Sequence, residues 1–370
     1  MYLEELSCKN FRNYDSLTIK FSPEINFITG ENGSGKTNIL EAIGVCSNIK
    51  SFRNISDTDM MKWSTDNYHC FIKAKGYTHS TFEVGCGIYT GRLKKKVKLD
   101  GREIEKLSDY YGKLLTVVFS PVDINILNGP PELRRKFIDS VISKTDPHYL
   151  DSLNEFKKIL ASRNKILRLL KEKKINDTLQ LDAFDRLFAE KASFIIKKRE
   201  FFINEFKDLF AGSYTEIAPH DTVPGIFYSC SVKSKEENDI YDLLKSNRGK
   251  DIFSGSSSLG PQRDEIKFLN EQSIRFTSYA SQGQRRTAAI SLKASESIYL
   301  ERQLGQKAVI LVDDIFSELD EKRRANMVKI LGKGNQVIFT MVNVDFIDLS
   351  EFKNVHKFII ENDAEVRELQ

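Results

Sequence analysis

The sequence predicts an α/β fold, in which helices cover a mixed sheet and a helical arm forms a separate subdomain. The strand-like run "EINFITG" leads into a glycine-rich turn and then into the helical spacing of "KTNILEAIGVCSNI". Near the other end of the chain, "KAVILVDDIF" and "NQVIFTMVNVDF" are short apolar runs typical of buried strands. Between these regions, residues 131–212 carry apolar side chains at helical spacing.

The first part of the chain alternates strand-like and turn-like segments, and we predict an N-terminal lobe over residues 1–130. "LEELSCKNFRNY" and "SLTIKFSPEINFITG" show the alternation of strands, and "HCFIKAKGYTHSTFEVGCGIY" predicts a strand pair. "KKKVKLDGREIEKL" predicts a hairpin with Asp100 and Gly101 at its turn. "LLTVVFSP" predicts a short buried strand that ends at Pro121.

The middle of the chain, residues 131–255, predicts a helical arm. Pro131 is suited to a first helical turn, and two long amphipathic helices are expected to pack as a hairpin that ends at Gly212. Strand patterns return from "GPQRDEIKFLN", so residues 256–370 are expected to form a C-terminal lobe. One face of the second long helix carries Leu181, Phe184, Phe188, Ala192, Ile195, Phe202, Phe206 and Leu209.

Composition narrows the class of protein without identifying a ligand. The net charge of +4, from 56 basic and 52 acidic residues, does not by itself indicate nucleic acid, because clustering of charge decides that. Five cysteines without C-x-x-C spacing argue against a disulfide framework or a zinc site. The first residues, "MYLEELSCKNF", do not have the pattern of a signal peptide, and no apolar stretch reaches membrane-spanning length, so neither feature is expected. We therefore expect a cytoplasmic protein with no membrane association.

The stretch "GENGSGKT" has the spacing of a phosphate loop, G-x-x-x-x-G-K-[ST], between a predicted strand and a predicted helix. Glycines let backbone N–H groups point at phosphate oxygens, and the start of the helix adds its positive dipole end. We expect Lys36 to meet the β- and γ-phosphates and Thr37 to hold Mg²⁺. The predicted nucleotide-binding residues are Gly30, Glu31, Asn32, Gly33, Ser34, Gly35, Lys36 and Thr37.

Two carboxylates follow the apolar run "AVILV" near the other end of the chain. Asp313 is placed to reach Mg²⁺, and Asp314 is placed to orient or activate the attacking water, as phosphoryl transfer requires. Lys36, Asp313 and Asp314 are therefore the predicted catalytic residues, and Thr37 and Asp313 the predicted metal ligands.

A second candidate phosphate element is "SQGQRRT", where Ser281, Gly283 and Gln284 open a predicted helix. A serine hydroxyl and glycine N–H groups at a helix start form an anion site. The same residues also make a polar helix cap, and the spacing alone does not choose between these two interpretations.

Together "NFRNY", "GENGSGKTNILEAI", "GPQRDE", "SQGQRRTAAISLK" and "DDIFSELD" resemble the RecF family of bacterial recombination-mediator ATPases. That family is related to the ATP-binding-cassette ATPases and to the heads of chromosome-maintenance proteins. The resemblance implies that Ser281, Gly283 and Gln284 contact the γ-phosphate of ATP held by a second copy. It implies that "SELD" at residues 317–320 crosses the same interface, and that the arm is a shortened coiled coil.

For function, the resemblance implies an ATPase head that closes as a homodimer on DNA, with slow, DNA-stimulated hydrolysis. It implies binding at junctions of single- and double-stranded DNA, cooperation with the mediators RecR and RecO in recombinational repair and replication restart, and support of SOS induction. Alternatives are a transporter ATPase subunit, against which the arm and the "SQGQ" variant argue, and a nucleotide-gated scaffold with negligible turnover.

The chain departs from the family pattern at a few polar positions. Gln262 and Asp264-Glu265 replace a histidine and an aspartate pair, and Arg285 replaces a glutamine. Thr340 or Asn343 is a candidate substitute for the histidine that many cassette ATPases carry after the last core strand. The region around Asp123 is the expected place of the glutamine loop.

The candidate DNA contacts are basic residues of the predicted hairpin and one arginine beyond the phosphate-loop helix. A lysine-rich edge strand protected from aggregation is an equally good interpretation of the hairpin. No base-reading module is present, so binding is expected to be led by backbone phosphates with little sequence preference. The residues are Arg53, Arg92, Lys94, Lys95, Lys96, Lys98 and Arg102.

Overall fold

The computed structural model describes residues 1–53, 55–76, 79–315, 321–332, 334–342, 344, 354–361 and 366–369. It has the predicted α/β class, with helices and sheets combined. The chain packs as two compact units, residues 1–124, 212–221 and 281–370 in the first and residues 125–211 and 222–280 in the second. The division into domains at 1–130, 131–255 and 256–370 remains a prediction.

The strands are numbered in chain order. They are β1 (Tyr2–Phe11), β2 (Tyr14–Lys20), β3 (Ile25–Gly30), β4 (Asn67–Lys75), β5 (His79–Tyr89), β6 (Arg92–Leu99), β7 (Arg102–Glu103), β8 (Thr116–Phe119), β9 (Gly225–Ser229), β10 (Glu265–Leu269), β11 (Val309–Asp313), β12 (Val337–Met341), β13 (Val355–Ile360) and β14 (Val366–Leu369).

The helices are α1 (Lys36–Asn48), α2 (Asn125–Asn128), α3 (Pro131–Thr145), α4 (Pro147–Lys171), α5 (Leu179–Ile217), α6 (Glu237–Ser246), α7 (Arg248–Ser254), α8 (Phe276–Tyr279), α9 (Gln282–Leu304) and α10 (Glu321–Leu331). Within the described ranges, none of them combines the length and the apolar character that crossing a bilayer requires.

The first unit contains an antiparallel sheet in the order β2-β1-β4-β5-β6-β7. Strands β6 and β7 pair through Lys98 opposite Glu103 and Leu99 opposite Arg102. The two residues between them, Asp100 and Gly101, both have positive φ, at 51° and 76°. This is the two-residue hairpin turn that the Asp-Gly pair predicts, since its twist matches that of the strands.

The second sheet of this unit has the order β14-β13-β3-β12-β11-β8, with every neighbouring pair parallel except β13 and β14. Strands β8, β11 and β12 are buried along their whole length, which explains their continuous apolar runs. Helix α1 shares one apolar core with residues of both sheets. The phosphate loop follows β3 and Asp314 follows β11, so both motifs lie at the carboxyl edge of parallel strands.

In the second unit, α4 and α5 form the predicted hairpin. Glu155 pairs with Lys191 at 2.9 Å and Arg163 with Asp185 at 2.7 Å, so the two helices run antiparallel. The prediction that α5 ends at Gly212 was wrong, because the helix continues to Ile217. Tyr214 and Ile217 are buried, and burial of this apolar face outweighs the roughly 1 kcal/mol that a helical glycine costs.

The "GPQRDE" stretch supports the packing of the second unit. Asp264 is buried, accepts a hydrogen bond from the Ser231 N–H at 2.8 Å and contacts the Tyr228 hydroxyl. Arg199 donates to the Pro261 carbonyl at 2.7 Å. Gly260 has φ +115°, and a Cβ there would lie 2.5 Å from the Phe188 ring, so only glycine fits. These residues therefore have a structural role within this unit.

Candidate nucleotide site and basic hairpin

The phosphate loop runs from the end of β3 to the start of α1 and is braced by the turn between β1 and β2. Asn13 Nδ2 donates to the Ser34 carbonyl at 3.2 Å, and the Tyr14 hydroxyl donates to the Gly35 carbonyl at 3.2 Å. Gly35 has φ +110°, and a Cβ there would lie 2.5 Å from Asn13 Nδ2. The glycine therefore permits both the loop conformation and the close approach of its brace.

Lys36 turns back over the loop that precedes it. Its Nζ donates to the carbonyl oxygens of Gly30 at 2.7 Å and Glu31 at 2.6 Å. Burial lowers the pKa of Lys36, and the carboxylates of Asp314 and Asp313 oppose that effect. The ammonium group therefore lies inside the loop, near two carboxylates, where a phosphate would meet it.

Other groups of the loop also suit a phosphate ligand. Glu31, Asn32 and Gly33 are exposed at the top of the loop. The Ser34 Oγ is buried and has no hydrogen-bond partner in the described part of the chain. An unpaired buried hydroxyl costs free energy unless a ligand or water completes its bonding, and a phosphate oxygen would do so.

The two nucleotide motifs meet through one hydrogen bond. Thr37 Oγ1 donates to Asp313 Oδ1 at 2.7 Å, across 276 residues of sequence. Thr340 Oγ1 donates to the same carboxylate oxygen at 2.9 Å from the neighbouring strand β12, and Thr340 is buried. Thr340 therefore orients Asp313, while Asn343 lies outside the described residues. A hydroxyl and a carboxylate in contact are a donor set that suits Mg²⁺.

Asp314 follows with an unusual backbone. Its φ is +45°, the left-handed region that non-glycine residues enter rarely, and its N–H donates to the Thr340 carbonyl at 3.2 Å. The sheet therefore ends in a fixed bend at this residue, and backbone strain of this kind clusters at functional sites.

Ser281, Gly283 and Gln284 lie at the start of α9. The Ser281 hydroxyl accepts from the Gln284 N–H at 3.2 Å, and the Gln284 side chain accepts from the Ser281 N–H at 2.9 Å, which completes a capping box. Ser281 is exposed at this helix start. The helix cap therefore forms within one chain and needs no second copy. Residues 317–320, which are predicted to cross between two copies, lie outside the described residues.

A buried cluster beside the loop was missed by the sequence reasoning. Glu41 of α1 is fully buried, and Arg12 holds it with two hydrogen bonds, at 2.7 Å through Nε and 3.1 Å through Nη2. The Ser51 hydroxyl also contacts this carboxylate, and Arg53 lies 3.9 Å from it with 45% of its side chain exposed. A glutamate inside the apolar run "NILEAIG" was the available signal.

Asp123 lies in a pocket with Lys293, Arg286 and Ile315. Its Oδ2 accepts from the Ser120 N–H at 2.7 Å. Burial raises the pKa of Asp123 to about 6, and the charge of Lys293 opposes that rise. Ile315 follows Asp314 directly, so the region predicted for the glutamine loop adjoins the segment that carries the two aspartates.

The basic hairpin divides its lysines between two environments. Lys95 Nζ donates to the Ile49 carbonyl at 2.6 Å and pairs with Asp57 at 2.6 Å, so its charge is used within the unit. Lys96 lies 3.7 Å from Glu103, and Lys98 lies 3.5 Å from Glu83. Arg92, Lys94 and Arg102 are exposed, and in the described part of the chain Arg92 and Lys94 have no ion pair.

The chain is similar to known proteins over nearly its whole length. The model of the RecF/RecN/SMC N-terminal domain family matches residues 2–363. The DNA replication and repair protein RecF of Leptospira interrogans serogroup Icterohaemorrhagiae serovar Lai (strain 56601) is 35% identical over 350 residues, which cover 94% of this chain and 93% of that protein. The solved RecF–ATP structure of the RecFOR pathway matches with a TM-score of 0.87 and 31% identity, covering 100% of this chain and 98% of that one.

A more distant match concerns the fold alone. An Smc head bound to the C-terminal winged-helix domain of ScpA matches with a TM-score of 0.55 and 15% identity, covering 100% of this chain and 98% of that one. The fold described above is therefore shared with the Smc head.

Proposed function

Because this chain belongs to the RecF/RecN/SMC N-terminal domain family, and within it to the RecF proteins, we propose that it uses ATP to close a homodimer on DNA. It is an ATP-binding protein of DNA replication and repair, in a family of ATPases. The observation that carries the proposal is the hydrogen bond between Thr37 and Asp313, which joins the phosphate loop to the acidic end of β11.

Several groups of the first unit contribute to ATP binding, each at a different part of the phosphates. The N–H groups of the glycine-rich loop and the start of α1 surround the β- and γ-phosphates. Lys36 exchanges its contacts with the Gly30 and Glu31 carbonyls for phosphate oxygens, and Ser34 Oγ gains the partner that it lacks. Thr37 and Asp313 would hold Mg²⁺, which would neutralise phosphate charge and polarise the γ-phosphoryl group.

Asp314 orients the attacking water and accepts its proton. It follows Asp313 directly at a bend fixed by Thr340, and its charge acts on Lys36 together with that of Asp313. Ser281 and the start of α9 contribute from a second copy, so hydrolysis requires a dimer. Turnover is slow because closing and opening of that dimer limit it, and DNA speeds it by favouring the closed form.

On DNA, the exposed cations of the β5–β6 hairpin contact phosphates, and binding depends steeply on salt with little preference for sequence. We assign the chain to recombinational repair and replication restart, at junctions of single- and double-stranded DNA, together with the mediators RecR and RecO. The RecFOR pathway of the matching ATP-bound structure supports this assignment.

The test compares Asp314→Asn with the unaltered protein. We expect the variant to keep ATP affinity within about twofold and to lose at least about 100-fold in DNA-stimulated hydrolysis, since the water loses its base. Asp242→Asn is the control, because Asp242 is an exposed carboxylate of α6 that is not among the predicted site residues. Normal hydrolysis by Asp314→Asn would remove Asp314 from the mechanism.

The same assay separates the alternatives. A nucleotide-gated scaffold would bind ATP and DNA but hydrolyse no faster than Asp314→Asn. A transporter subunit would show no response to DNA and would purify with a membrane permease.

A further inference from the structure

The chain contains one tryptophan, and it is almost fully exposed. Trp63 has 92% of its surface accessible, although burying an indole is strongly favourable in water. The turn that carries it is well anchored: Thr65 N–H donates to the Lys62 carbonyl at 3.1 Å, and Lys62 N–H donates to the Asn10 carbonyl at 2.9 Å. The ring is therefore held out into solvent by an ordered backbone.

The tip of the β5–β6 hairpin carries a second exposed ring and adjoins this turn. The Ile88 N–H donates to the Asp66 carbonyl at 2.8 Å, which fixes the end of the Trp63 turn against that tip. Tyr89 is 58% exposed, and it shares its face of the sheet with Arg92 and Lys94. Two exposed rings on neighbouring segments, unlike a single exposed apolar residue, indicate an interaction site.

Tyr89 has a partial structural explanation. A Cβ built at Gly87 would lie 2.9 Å from the Tyr89 ring, so the ring covers this glycine of its own strand. Aromatic rings are known to protect glycines of sheets in this way. That contact uses one side of the ring and leaves most of it exposed, and it does not account for Trp63.

Charge beside Tyr89 is positive. Arg92 lies opposite Tyr89 and Lys94 opposite Gly87 in the strand register, and both cations lack an ion pair in the described part of the chain. Around the Trp63 turn, Lys62 pairs with the exposed Asp15 at 2.5 Å, and Asp66 is exposed. The unpaired cations therefore belong to the hairpin, next to Tyr89.

We propose that the surface formed by Trp63, Tyr89, Arg92 and Lys94, at the end of the antiparallel sheet that carries the β5–β6 turn, is a stacking surface for the bases of single-stranded DNA. The inference rests on the proposed function and specifies which part of the DNA this surface takes. Exposed rings beside unpaired cations are the combination that binds single strands, since every base has a stacking face and every nucleotide a phosphate. Bases within a duplex are already stacked and are not available to the rings.

A protein partner fits this surface less well. Arginine and aromatic rings also occur at protein interfaces, but Lys94, which lies on the same face as Tyr89, belongs to a residue type that is depleted in the cores of such interfaces. The surface would therefore receive the single-stranded side of a DNA junction, while phosphate contacts elsewhere hold the duplex side.

The experiment uses the fluorescence of Trp63, which is the protein's only tryptophan signal. We expect an oligodeoxythymidylate strand to quench it. Because the Trp63 variants contain no tryptophan, all affinities are compared by the fluorescence anisotropy of a dye-labelled strand. We expect Trp63→Ala to weaken binding of that strand roughly 5- to 150-fold, as loss of one stacked base predicts. Trp63→Phe should retain most of the affinity. Phe253→Ala is the control, because Phe253 is 85% exposed in the other unit.

Two further DNA probes separate base from phosphate contacts. An abasic strand of equal length should bind the unaltered protein at least as weakly as oligodeoxythymidylate binds Trp63→Ala, because it also loses the contact with Tyr89, while a duplex should bind both proteins equally. Unquenched fluorescence, or equal single-strand affinity of Trp63→Ala and the unaltered protein, would overturn the stacking proposal and assign this surface to a protein partner. Failure of the proposed function differs from this, since neither the duplex nor the single strand would then bind.

Discussion

At the scale of single residues, Glu41 is a buried carboxylate near the phosphate loop that depends on its hydrogen-bond partners. It is fully buried in α1, and Arg12 supplies both of its charged hydrogen bonds. The same arginine donates to the Asp59 carbonyl at 2.8 Å, so it joins α1 to the segment that precedes the Trp63 turn. A buried carboxylate is tolerated only while such partners remain.

We therefore expect Arg12→Ala to lower the free energy of unfolding by about 3 kcal/mol, because it leaves Glu41 buried without its two charged hydrogen bonds. Arg53→Ala is the matched control: its guanidinium is 3.9 Å from the same carboxylate and 45% exposed, so the loss should stay below about 1 kcal/mol. Urea unfolding of both variants measures the difference. Equal losses would show that Arg12 is not the essential partner.

Asp123 gives a prediction about pH. Its pKa is raised to about 6 by burial, whereas an unfolded aspartate titrates near about 3.9. Between these values the folded state binds more protons than the unfolded state, so stability falls as pH rises through this window. From this residue we expect a decline of roughly 1 to 3 kcal/mol between about pH 4 and pH 7.

Asp123→Asn should remove that decline, because the amide oxygen still accepts from the Ser120 N–H but carries no titrating proton. Unfolding free energies of both proteins, measured across the window, test this. Parallel pH profiles would show that Asp123 titrates normally in the folded protein.

The limits of sequence reasoning differ among these residues for physical reasons. The phosphate loop was predictable because its spacing is local, from the strand through the turn to the helix. The inward direction of Lys95 was not, because alternation assigns faces only where apolar residues mark one of them, and the lysines of "KKKVK" occupy both faces. Glu41 was missed because its partner Arg12 lies 29 residues away in sequence.

At the scale of elements, strands were predictable wherever the burial pattern was simple. The fully buried β8, β11 and β12 are continuous apolar runs, and the Asp100-Gly101 turn follows from its two residues. The end of α5 was not predictable, since Gly212 resembles a helix stop and only tertiary packing carries the helix onward. Pairing of β3 with β12 and β13 joins distant segments, which local patterns do not specify.

The start of α9 offers a prediction that separates helix capping from nucleotide contact. Ser281→Ala should cost about 1 kcal/mol of stability through loss of the cap, while Ser281→Asp should preserve stability, since aspartate caps equally well. The aspartate charge would repel an arriving γ-phosphate. We therefore expect Ser281→Asp alone to lose ATP-dependent association, measured by sedimentation beside thermal unfolding. Normal association of Ser281→Asp would restrict this residue to capping.

At the scale of the whole molecule, the proposed site is divided between two copies. One copy supplies the phosphate loop with Lys36, and the other supplies Ser281 at the start of its α9. Each homodimer then contains two equivalent sites, and a single substitution damages both of them. This symmetry allows the two halves of the site to be tested in separate chains.

The final prediction uses a mixture of Lys36→Ala with Ser281→Asp. Each variant alone has two damaged sites and should remain monomeric with ATP. A mixed dimer has one site damaged twice and one intact site, built from Lys36 of the Ser281→Asp chain and Ser281 of the Lys36→Ala chain. We therefore expect a faster-sedimenting species only after mixing and only with ATP. Hydrolysis should recover partly, since one filled site holds the dimer closed less firmly.

The control replaces Lys36→Ala by Lys50→Ala. Lys50 is an exposed lysine just beyond α1, so this variant should associate without mixing. If Ser281 served the nucleotide of its own chain, mixing would restore neither association nor turnover, because every chain in the mixture would still carry one damaged half of its own site.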